Sequence, residues 1–282
     1  MLLENLLPGA GAGAGAGVEE PSWSFTDLVD HLRAMGLAAG ETLLVHSSLR
    51  SIGTIAGGPA ELLRALLTVL GPEGTLVVYT ACPENSDTSR MARALVEGRS
   101  PQEQSRHQAG MPAFDREVTR STPLLGWFSE EVRAHPRAVR SDHPQTSFTA
   151  IGRDAVRLMA EHELHSHLGP HSPVQKLYDG GARALLIGLP IWNITPVHLA
   201  EYWLERPPMQ LYGCVMEDKW GRHWRHFQAV EIRDGHLEDL GRHLDRELTD
   251  RVEGQLGAAH CYLVPIRKAV NLTFAFLQKT NS

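Results

Sequence analysis

Short apolar runs alternate with amphipathic segments along the first half of the chain. Residues 41–48 (ETLLVHSS) and 74–80 (GTLVVYT) are short and apolar and are bounded by glycine or polar residues, a pattern typical of buried strands. Residues 59–71 between them have the apolar spacing of an amphipathic helix. A strand, a helix and a strand joined by short turns predict a parallel-sheet unit.

The same pattern shows where the folded region begins. Ser24, followed three residues later by Asp27, predicts a capping box at the start of a helix, and Gly36 suits the end of that helix. Residues 1–21 contain an alternating Ala-Gly run and lack the basic region of a signal peptide, so we expect a flexible tail there. The folded domain is therefore expected over residues 22–282.

The segments up to about residue 206 extend this pattern of strands and helices, and a different pattern follows. Helices are predicted at about 124–134 and from Arg153, and strands at 147–152 and 182–190. After residue 208, polar and apolar positions alternate as in an antiparallel hairpin. The expected fold class is α/β: a single domain with a central mixed, largely parallel sheet flanked by helices, plus an antiparallel hairpin after residue 208.

Composition narrows the class of protein. None of the apolar runs in the 282 residues is long enough to span a membrane, and the formal net charge of -6 argues against binding to nucleic acid. The same charge mildly favours a cationic or neutral ligand. The cysteines Cys82, Cys214 and Cys261 form no C-x-x-C motif, which suits a reducing cytosol. We therefore expect a cytoplasmic protein that contacts neither nucleic acid nor membrane.

A histidine and a glutamate follow the predicted strand 182–190. Thr195 is a candidate N-cap and Pro196 suits the first helical position, which places His198 in the first turn and Glu201 three residues further on. Because the helix dipole disfavours positive charge in that turn, we expect a neutral imidazole, the form that a general base needs. From this segment alone, a structural role for His198 is an equally good interpretation, either on the surface or in the core with its hydrogen bonds satisfied.

The loop HSSLRSIG, residues 46–53, leaves a predicted strand at its carboxyl end, where ligands bind in open α/β sheets. Its serine hydroxyls, its backbone N–H groups and Arg50 suit a phosphate or a pyrophosphate. The loop matches neither the Walker A motif nor G-x-G-x-x-G, so an ordinary nucleotide loop is excluded. A connecting loop that binds no ligand is an equally good interpretation, since polar loops of this kind are common.

The histidine-rich segment 161–172 invites comparison with metal sites. It does not match H-E-x-x-H, and no cysteine or acidic ligand stands at metal-site spacing, so we expect no metal. His171, in GPHSP, is expected on a turn near the site. His162, His165 and His167 are expected to face solvent.

Five segments, taken in order, resemble the aminoglycoside 3-N-acetyltransferase family. They are LLVHSSLRSIG, FDREVTRSTPLLG, RSDHPQTSFTAIG, GPHSPVQKLYDGGARALLIGL and NITPVHLAEY. The resemblance covers about residues 24–206 and is much weaker beyond residue 210. It implies the antibiotic acetyltransferase fold and the acetyl-CoA-dependent transfer of an acetyl group to an amine of an aminoglycoside or related amino-sugar, a reaction that confers antibiotic resistance.

The resemblance also assigns residues to roles. His198 matches the family's catalytic histidine, with Glu201 as the group that orients it and His171 near the acceptor site. The residues assigned to acetyl-CoA are Ser47, Ser48, Leu49, Arg50, Ser51, Ile52, Thr122, Ser141 and Phe148. The residues assigned to the acceptor amine are Asp87, Asp115, Trp192, Asn193 and Glu231.

The chain departs from the family pattern in its acceptor segments. Where the family has G-x-D-x-N-T ahead of the histidine, this chain has Ile191 and Trp192 before Asn193. Where the family has W-x-E-Y-E in the hairpin, this chain has His226 and Gln228. Fewer carboxylates argue against a highly charged acceptor, because ion pairs help to place a cationic amine.

Three hypotheses remain open at this point. The leading one is N-acetylation of an aminoglycoside or related amino-sugar. The second keeps the fold but acylates another amine in biosynthesis, and the third is an antibiotic-binding protein without catalysis. The protein is expected to be a monomer or a homodimer with a small-molecule partner.

Overall fold

A computed structural model describes residues 22–89, 93–94, 96–219 and 221–280. The predicted tail, residues 1–21, lies outside the described residues. The strands are β1 Thr42–Ser47, β2 Thr75–Tyr79, β3 Val139–Arg140, β4 Phe148–Gly152, β5 Arg183–Ile187, β6 Met209–Asp218, β7 Gly221–Val230, β8 Val252–Leu256 and β9 Ala259–Pro265.

The helices lie between these strands and after them. The α-helices are α1 Phe25–Ala34, α2 Leu49–Ile52, α3 Pro59–Leu70, α4 Pro101–Gly110, α5 Gly126–Arg133, α6 Ala155–Met159, α7 Pro173–Asp179, α8 Leu237–Glu247 and α9 Ile266–Thr280. Within the described residues, 3-10 helices cover Pro83–Asn85, Pro123–Leu125, Ile191–Asn193 and Thr195–Trp203. Among the described helices, none is long and apolar enough to cross a membrane.

Seven strands form one mixed sheet in the order β3-β4-β2-β1-β5-β9-β8, and β6 pairs with β7 in a separate two-stranded hairpin. The α/β class, the mixed sheet and the hairpin after residue 208 are confirmed. The parallel part is smaller than expected, because only β1–β2 and β1–β5 are parallel among the described pairs. The outer strands β4 and β9 are antiparallel to their inner neighbours. Each also pairs antiparallel with the edge strand that precedes it in the chain.

The central strands are buried on both faces, as their apolar composition predicts. Successive side chains of a strand point to opposite faces of the sheet. Leu44 and Leu186 accordingly pack into a core that also contains apolar residues of α8 and α9. Leu43 and Val45 pack into the other core, against α1 and α3. This three-layer packing holds the carboxyl ends of β1, β2 and β5 at one edge of the sheet.

The predicted capping box at the start of the first helix is present. The Ser24 hydroxyl accepts a hydrogen bond from the backbone N–H of Asp27 at 3.3 Å, and the Asp27 carboxylate accepts one from the backbone N–H of Ser24 at 2.9 Å. These two bonds form the capping box at the start of α1. Gly36 follows α1 with φ 79°, a left-handed conformation that glycine adopts without strain.

Candidate active site

A cavity of about 310 Å3 lies between the carboxyl ends of the central strands and the hairpin. His46 and Ser47 line it from β1, and Tyr79 lines it from β2. Gln210 and Tyr212 line it from β6 of the hairpin. This is the sheet edge at which open α/β proteins bind ligands. We call it the smaller cavity.

His198 and Glu201 form a buried pair beside the smaller cavity. His198 is 1% exposed and Glu201 is 4% exposed. Residues three apart eclipse one another in a 3-10 helix, so the Thr195–Trp203 helix brings the two side chains together. Nδ1 of His198 lies 3.1 Å from Oε1 of Glu201. An ionised carboxylate only accepts hydrogen bonds, so Nδ1 carries the hydrogen and Nε2 keeps the lone pair that a base requires.

The expected protonation behaviour of His198 is corrected by the structure. Burial disfavours the charged imidazole, but the Glu201 carboxylate together with Asp234 outweighs burial, so the pKa of His198 lies above its usual value. A helix terminus contributes roughly 0.3–1 kcal/mol, whereas unit charges 4 Å apart at an effective dielectric constant of 20 interact by about 4 kcal/mol. The carboxylate therefore dominates over the helix terminus. Thr195 also makes no side-chain capping bond, since Ile194 precedes the helix and Thr195 lines the smaller cavity.

Two further side chains next to this pair were missed by the sequence analysis. Oδ1 of Asp234 lies 4.0 Å from Nε2 of His198, and Nε2 of His236 lies 3.7 Å from Oε1 of Glu201. Both belong to the loop that joins β7 to α8. The Asp-Gly-His sequence directly after the predicted hairpin was the available signal, but only the tertiary fold brings this loop to His198.

A larger cavity of about 1300 Å3 adjoins the same pair. Glu201 and His236 line the larger cavity, while His198 lines the smaller one. Glu231 and Asp234 line both. Trp203, Leu204, Phe274 and Leu277 supply an apolar part of its wall. The histidine–carboxylate pair therefore lies where the two cavities meet.

The loop after β1 contacts the smaller cavity as predicted, but only in part. Ser47 lines the cavity, and Arg50 is exposed on α2. Gly188 follows β5 with φ 62°, and a Cβ added there would lie 2.2 Å from Oγ of Ser51, so this glycine permits the close approach of the two loops. Ile52, assigned to acetyl-CoA from the sequence, is fully buried in the core that contains α1 and α3. Its side chain is occupied by packing.

The structure separates Thr122 from Ser141 and Phe148. Thr122 lines a third cavity of about 540 Å3 that also contains Trp127. Ser141 is fully buried, and its hydroxyl lies 2.9 Å from Nδ1 of His162. Phe148 is fully buried in β4, with its ring 4.9 Å from the ring of Tyr79. Both side chains, assigned to acetyl-CoA from the sequence, are therefore packed in the interior, with Phe148 behind Tyr79 of the smaller cavity.

The histidine-rich segment folds differently from our expectation. His171 is exposed on a turn with φ 59° and lines none of the three cavities. His162 and His167 are buried rather than solvent-facing, and burial lowers the pKa of His162 to about 4 and that of His167 to about 3. Both rings find partners inside the protein, which a polar sequence pattern does not reveal. His165 is exposed as predicted.

Buried His143 stands against His162 and His167, with ring centroids 4.7 Å and 4.5 Å away. Nδ1 of His143 accepts hydrogen bonds from the backbone N–H groups of Gln145 and Thr146, so its hydrogen is on Nε2. His167 lines the smaller cavity, and its Nε2 has no hydrogen-bond partner among the described residues. The cluster therefore contributes a neutral polar group to the cavity wall.

Two of the predicted acceptor residues have structural roles instead. Asp115 is exposed, and its Oδ1 accepts hydrogen bonds from the backbone N–H groups of Glu117 and Val118, which stabilises a local turn. Trp192 packs so closely on Gly241 of α8 that a Cβ there would lie 2.4 Å from the ring. Both assignments are corrected, since one side chain caps a turn and the other fills the core.

The other predicted acceptor residues lie closer to the cavities. Asn193 lines the smaller cavity, and its Oδ1 has no hydrogen-bond partner among the described residues. Glu231 lines both cavities. Asp87 lines none of the three, because its Oδ2 accepts a hydrogen bond from Gln108 at 2.9 Å and its Oδ1 lies against Gly213 of the hairpin.

The fold and the site define an α/β protein with a buried histidine–carboxylate pair between two substrate-sized cavities. A sequence model of the aminoglycoside 3-N-acetyltransferase family matches residues 44–278, which is most of the chain. The chain therefore belongs to this family of acyltransferases, and the predicted family and enzyme class are confirmed.

Two curated relatives illustrate the similarity. The aminoglycoside N(3')-acetyltransferase-like protein YokD of Bacillus subtilis is 33% identical over 86% of this chain and 88% of its own length. Aminoglycoside N(3)-acetyltransferase VII of Streptomyces paromomycinus is 31% identical over 90% of this chain and 91% of its own length.

Solved structures resemble the fold over the same extent. YokD superposes with a TM-score of 0.85 at 29% identity, covering 92% of this chain and 94% of its own. AAC-VIa bound to sisomicin superposes with a TM-score of 0.80 at 26% identity, covering 92% and 99%. AAC-IIIb in a binary complex with CoASH has a TM-score of 0.79 at 26% identity, covering 92% and 98%.

Proposed function

We propose that this protein is an acetyl-CoA-dependent N-acetyltransferase that acetylates an amine of an aminoglycoside or related amino-sugar, with His198 as the general base. The observation that carries the proposal is the buried His198–Glu201 pair at the junction of two cavities. Relatives that bind CoASH and sisomicin support the two substrate classes. Acetylation removes a positive charge from the amine, which is the chemical basis of a role in antibiotic resistance.

The smaller cavity suits the donor. It is the smaller of the two, it adjoins the 46–53 loop, and five polar side-chain atoms at its lining residues have no hydrogen-bond partner among the described residues. These atoms are Nε2 of His46, Oε1 of Gln145, Nε2 of His167, Oδ1 of Asn193 and Nε2 of His198. The pantetheine arm of CoA is narrow and carries amide groups, so it fits a cavity whose wall offers unpaired hydrogen-bonding groups. Arg50, exposed on the same loop, would hold phosphate.

The larger cavity suits the acceptor. Its volume of about 1300 Å3 accommodates a sugar with several rings, and its wall combines carboxylates with apolar side chains. Carboxylates place the amines, and apolar surface covers the sugar rings. Asp234, 4.0 Å from Nε2 of His198, puts negative charge beside the nitrogen that would accept the proton. A cationic amine is therefore attracted to the base that deprotonates it.

The chemistry follows from the protonation of the pair. Acetyl-CoA supplies an acyl group that is already activated as a thioester, so the protein needs no nucleophile of its own. Nε2 of His198 accepts the proton that the amine loses as its nitrogen bonds to the acetyl carbon. The Nδ1–H donated to Glu201 stabilises the imidazolium that forms, and the proton then leaves with the departing thiol. Two adjoining cavities provide the proximity of donor and acceptor.

The experiment is the His198→Ala variant, assayed by the release of CoA thiol. General-base catalysis contributes about 10²–10⁴-fold, so kcat should fall by that order while the acetyl-CoA Kd stays close to that of the parent. High pH should partly restore turnover, because more of the amine is then deprotonated. His171→Ala is the matched control, since His171 lies outside the cavities and should keep near-parent turnover.

Two outcomes would contradict the proposal. A folded His198→Ala protein with full kcat would remove His198 as the base, and loss of turnover in His171→Ala would point to that histidine instead. No CoA release by the parent with any aminoglycoside or other amine would favour the binding protein without catalysis.

A further inference from the structure

Charged side chains of both signs line the larger cavity. The carboxylates are Glu201, Glu205, Glu231 and Asp234, and the guanidinium groups are Arg206 and Arg233. Burial lowers the pKa of His236, which favours its neutral form. The formal charge of the lining is then -2, smaller than the four carboxylates alone would give. One of the four, Glu201, is already engaged by His198.

Glu231 is held by an arginine from its own loop. Nε and Nη2 of Arg233 each lie 2.8 Å from Oε2 of Glu231. The backbone N–H of Glu231 donates to the carbonyl of Pro208 at 2.8 Å, which fixes this residue at the base of the hairpin. Since Glu231 lines both cavities, its carboxylate stands at their junction, where the acceptor amine would meet the donor.

We infer that the Glu231–Arg233 ion pair is a charge selector, which weakens the preference of the site for polycationic amino-sugars over those with fewer amines. The inference rests on the proposed function, because it takes the larger cavity as the acceptor side. Arg233 acts twice: it neutralises a carboxylate that would otherwise hold an ammonium group, and its own charge repels further ammonium groups.

The size of the effect follows from the exposure of the pair. The side chain of Arg233 is 57% exposed and that of Glu231 is 36% exposed, so solvent screens their charges. Removing Arg233 should therefore strengthen the binding of a polycation by about two- to fivefold at low salt. The gain should grow with the number of amines and shrink at high salt.

The test compares Arg233→Gln with Arg242→Gln by calorimetry. Arg242 is a matched control: its side chain is 58% exposed and pairs with Glu238 on α8, and it lines neither cavity. The probes are glucosamine with a single amine, neamine with four and neomycin with six. Arg233→Gln should lower the neomycin Kd by about two- to fivefold and leave the glucosamine Kd nearly unchanged, whereas Arg242→Gln should change neither.

A second variant shows whether the gain comes through the ion pair. In a Glu231→Gln background, Arg233→Gln should give less improvement for neomycin, because the released carboxylate is gone. Equal shifts from Arg233→Gln and Arg242→Gln would overturn the inference, and so would weaker neomycin binding in Arg233→Gln. The absence of measurable binding for all three probes would also overturn the inference.

If the proposed function is wrong, the experiments give a result that differs from a failure of the charge selector. The parent would then release no CoA thiol with any amine, while the Kd values, which are measured without turnover, still decide whether the ion pair selects charge.

Discussion

Replacing Glu201 with glutamine separates the charge of the buried pair from its shape. Glutamine has nearly the same volume and can still accept the hydrogen bond from Nδ1 of His198, which spans 3.1 Å in the parent. Burial of the imidazole remains, but the carboxylate that raises the pKa of His198 is lost. The pKa should therefore fall. Because only the neutral imidazole acts as a base, the rise of activity with pH should move to lower pH in Glu201→Gln.

The loss of turnover can be bounded from the same geometry. A hydrogen bond to a charged group contributes about 1.5–3 kcal/mol and one to a neutral group about 0.5–1.5 kcal/mol, a difference of about 1–1.5 kcal/mol. The upper bound is the attraction of unit charges 4 Å apart at an effective dielectric constant of 20, about 4 kcal/mol. Since roughly 1.4 kcal/mol changes a rate tenfold, kcat at the optimum pH should fall by about tenfold to a thousandfold.

The assay is the pH dependence of kcat, followed through the release of CoA thiol, with the acetyl-CoA Kd measured in parallel. Glu73→Gln is the matched control: Glu73 is exposed and pairs with Arg153, away from the cavities. Lower kcat with the pH profile shifted down and donor affinity retained is the expected result. An unchanged kcat with an unshifted profile would refute the role of the pair, because it would show that His198 works without the carboxylate.

Two further predictions concern the donor loop. Arg50→Ala should weaken acetyl-CoA binding by roughly tenfold to a hundredfold in calorimetry and leave amine binding unchanged, as expected for a lost charge-assisted contact of about 1.5–3 kcal/mol; an unchanged acetyl-CoA Kd would contradict the placement of phosphate there. Gly188→Ala should reduce the free energy of unfolding by about 1–3 kcal/mol in denaturant titrations, because its Cβ would overlap Oγ of Ser51. Gly181→Ala has a similar φ and open space, so an equal loss there would show that backbone strain alone is responsible.

Much of the fold could be predicted because its signals are local. Three predicted segments match the structure to within about a residue at each end: 41–48 matches β1, 59–71 matches α3 and 74–80 matches β2. The match is good because the alternation of apolar and polar residues within a short segment indicates which side chains are buried. Strand direction is not local in this sense. β4 was predicted as a strand from its composition, but its antiparallel pairing with β2 is a contact between segments about 70 residues apart.

The site divides in the same way. His198 and Glu201 were predicted because they lie three residues apart on one helix. Ser141 and Phe148 were assigned to acetyl-CoA because they stand in matching motifs, and a motif does not show which way a side chain faces; the structure buries both. Trp192 was assigned to the acceptor because it stands in the acceptor segment ahead of His198, but its ring packs over Gly241.

The division between local and distant residues also separates the reaction from its substrate. The proposed base and its carboxylate come from a single helix, so the proton transfer that we propose depends on residues within Thr195–Trp203. The charges around that base come from the loop after the hairpin, where Glu231, Arg233 and Asp234 lie within four residues of one another. Substitutions in that loop can alter which amine is held without moving the base. The loop after the hairpin is therefore where acceptor preference can diverge while the chemistry stays fixed.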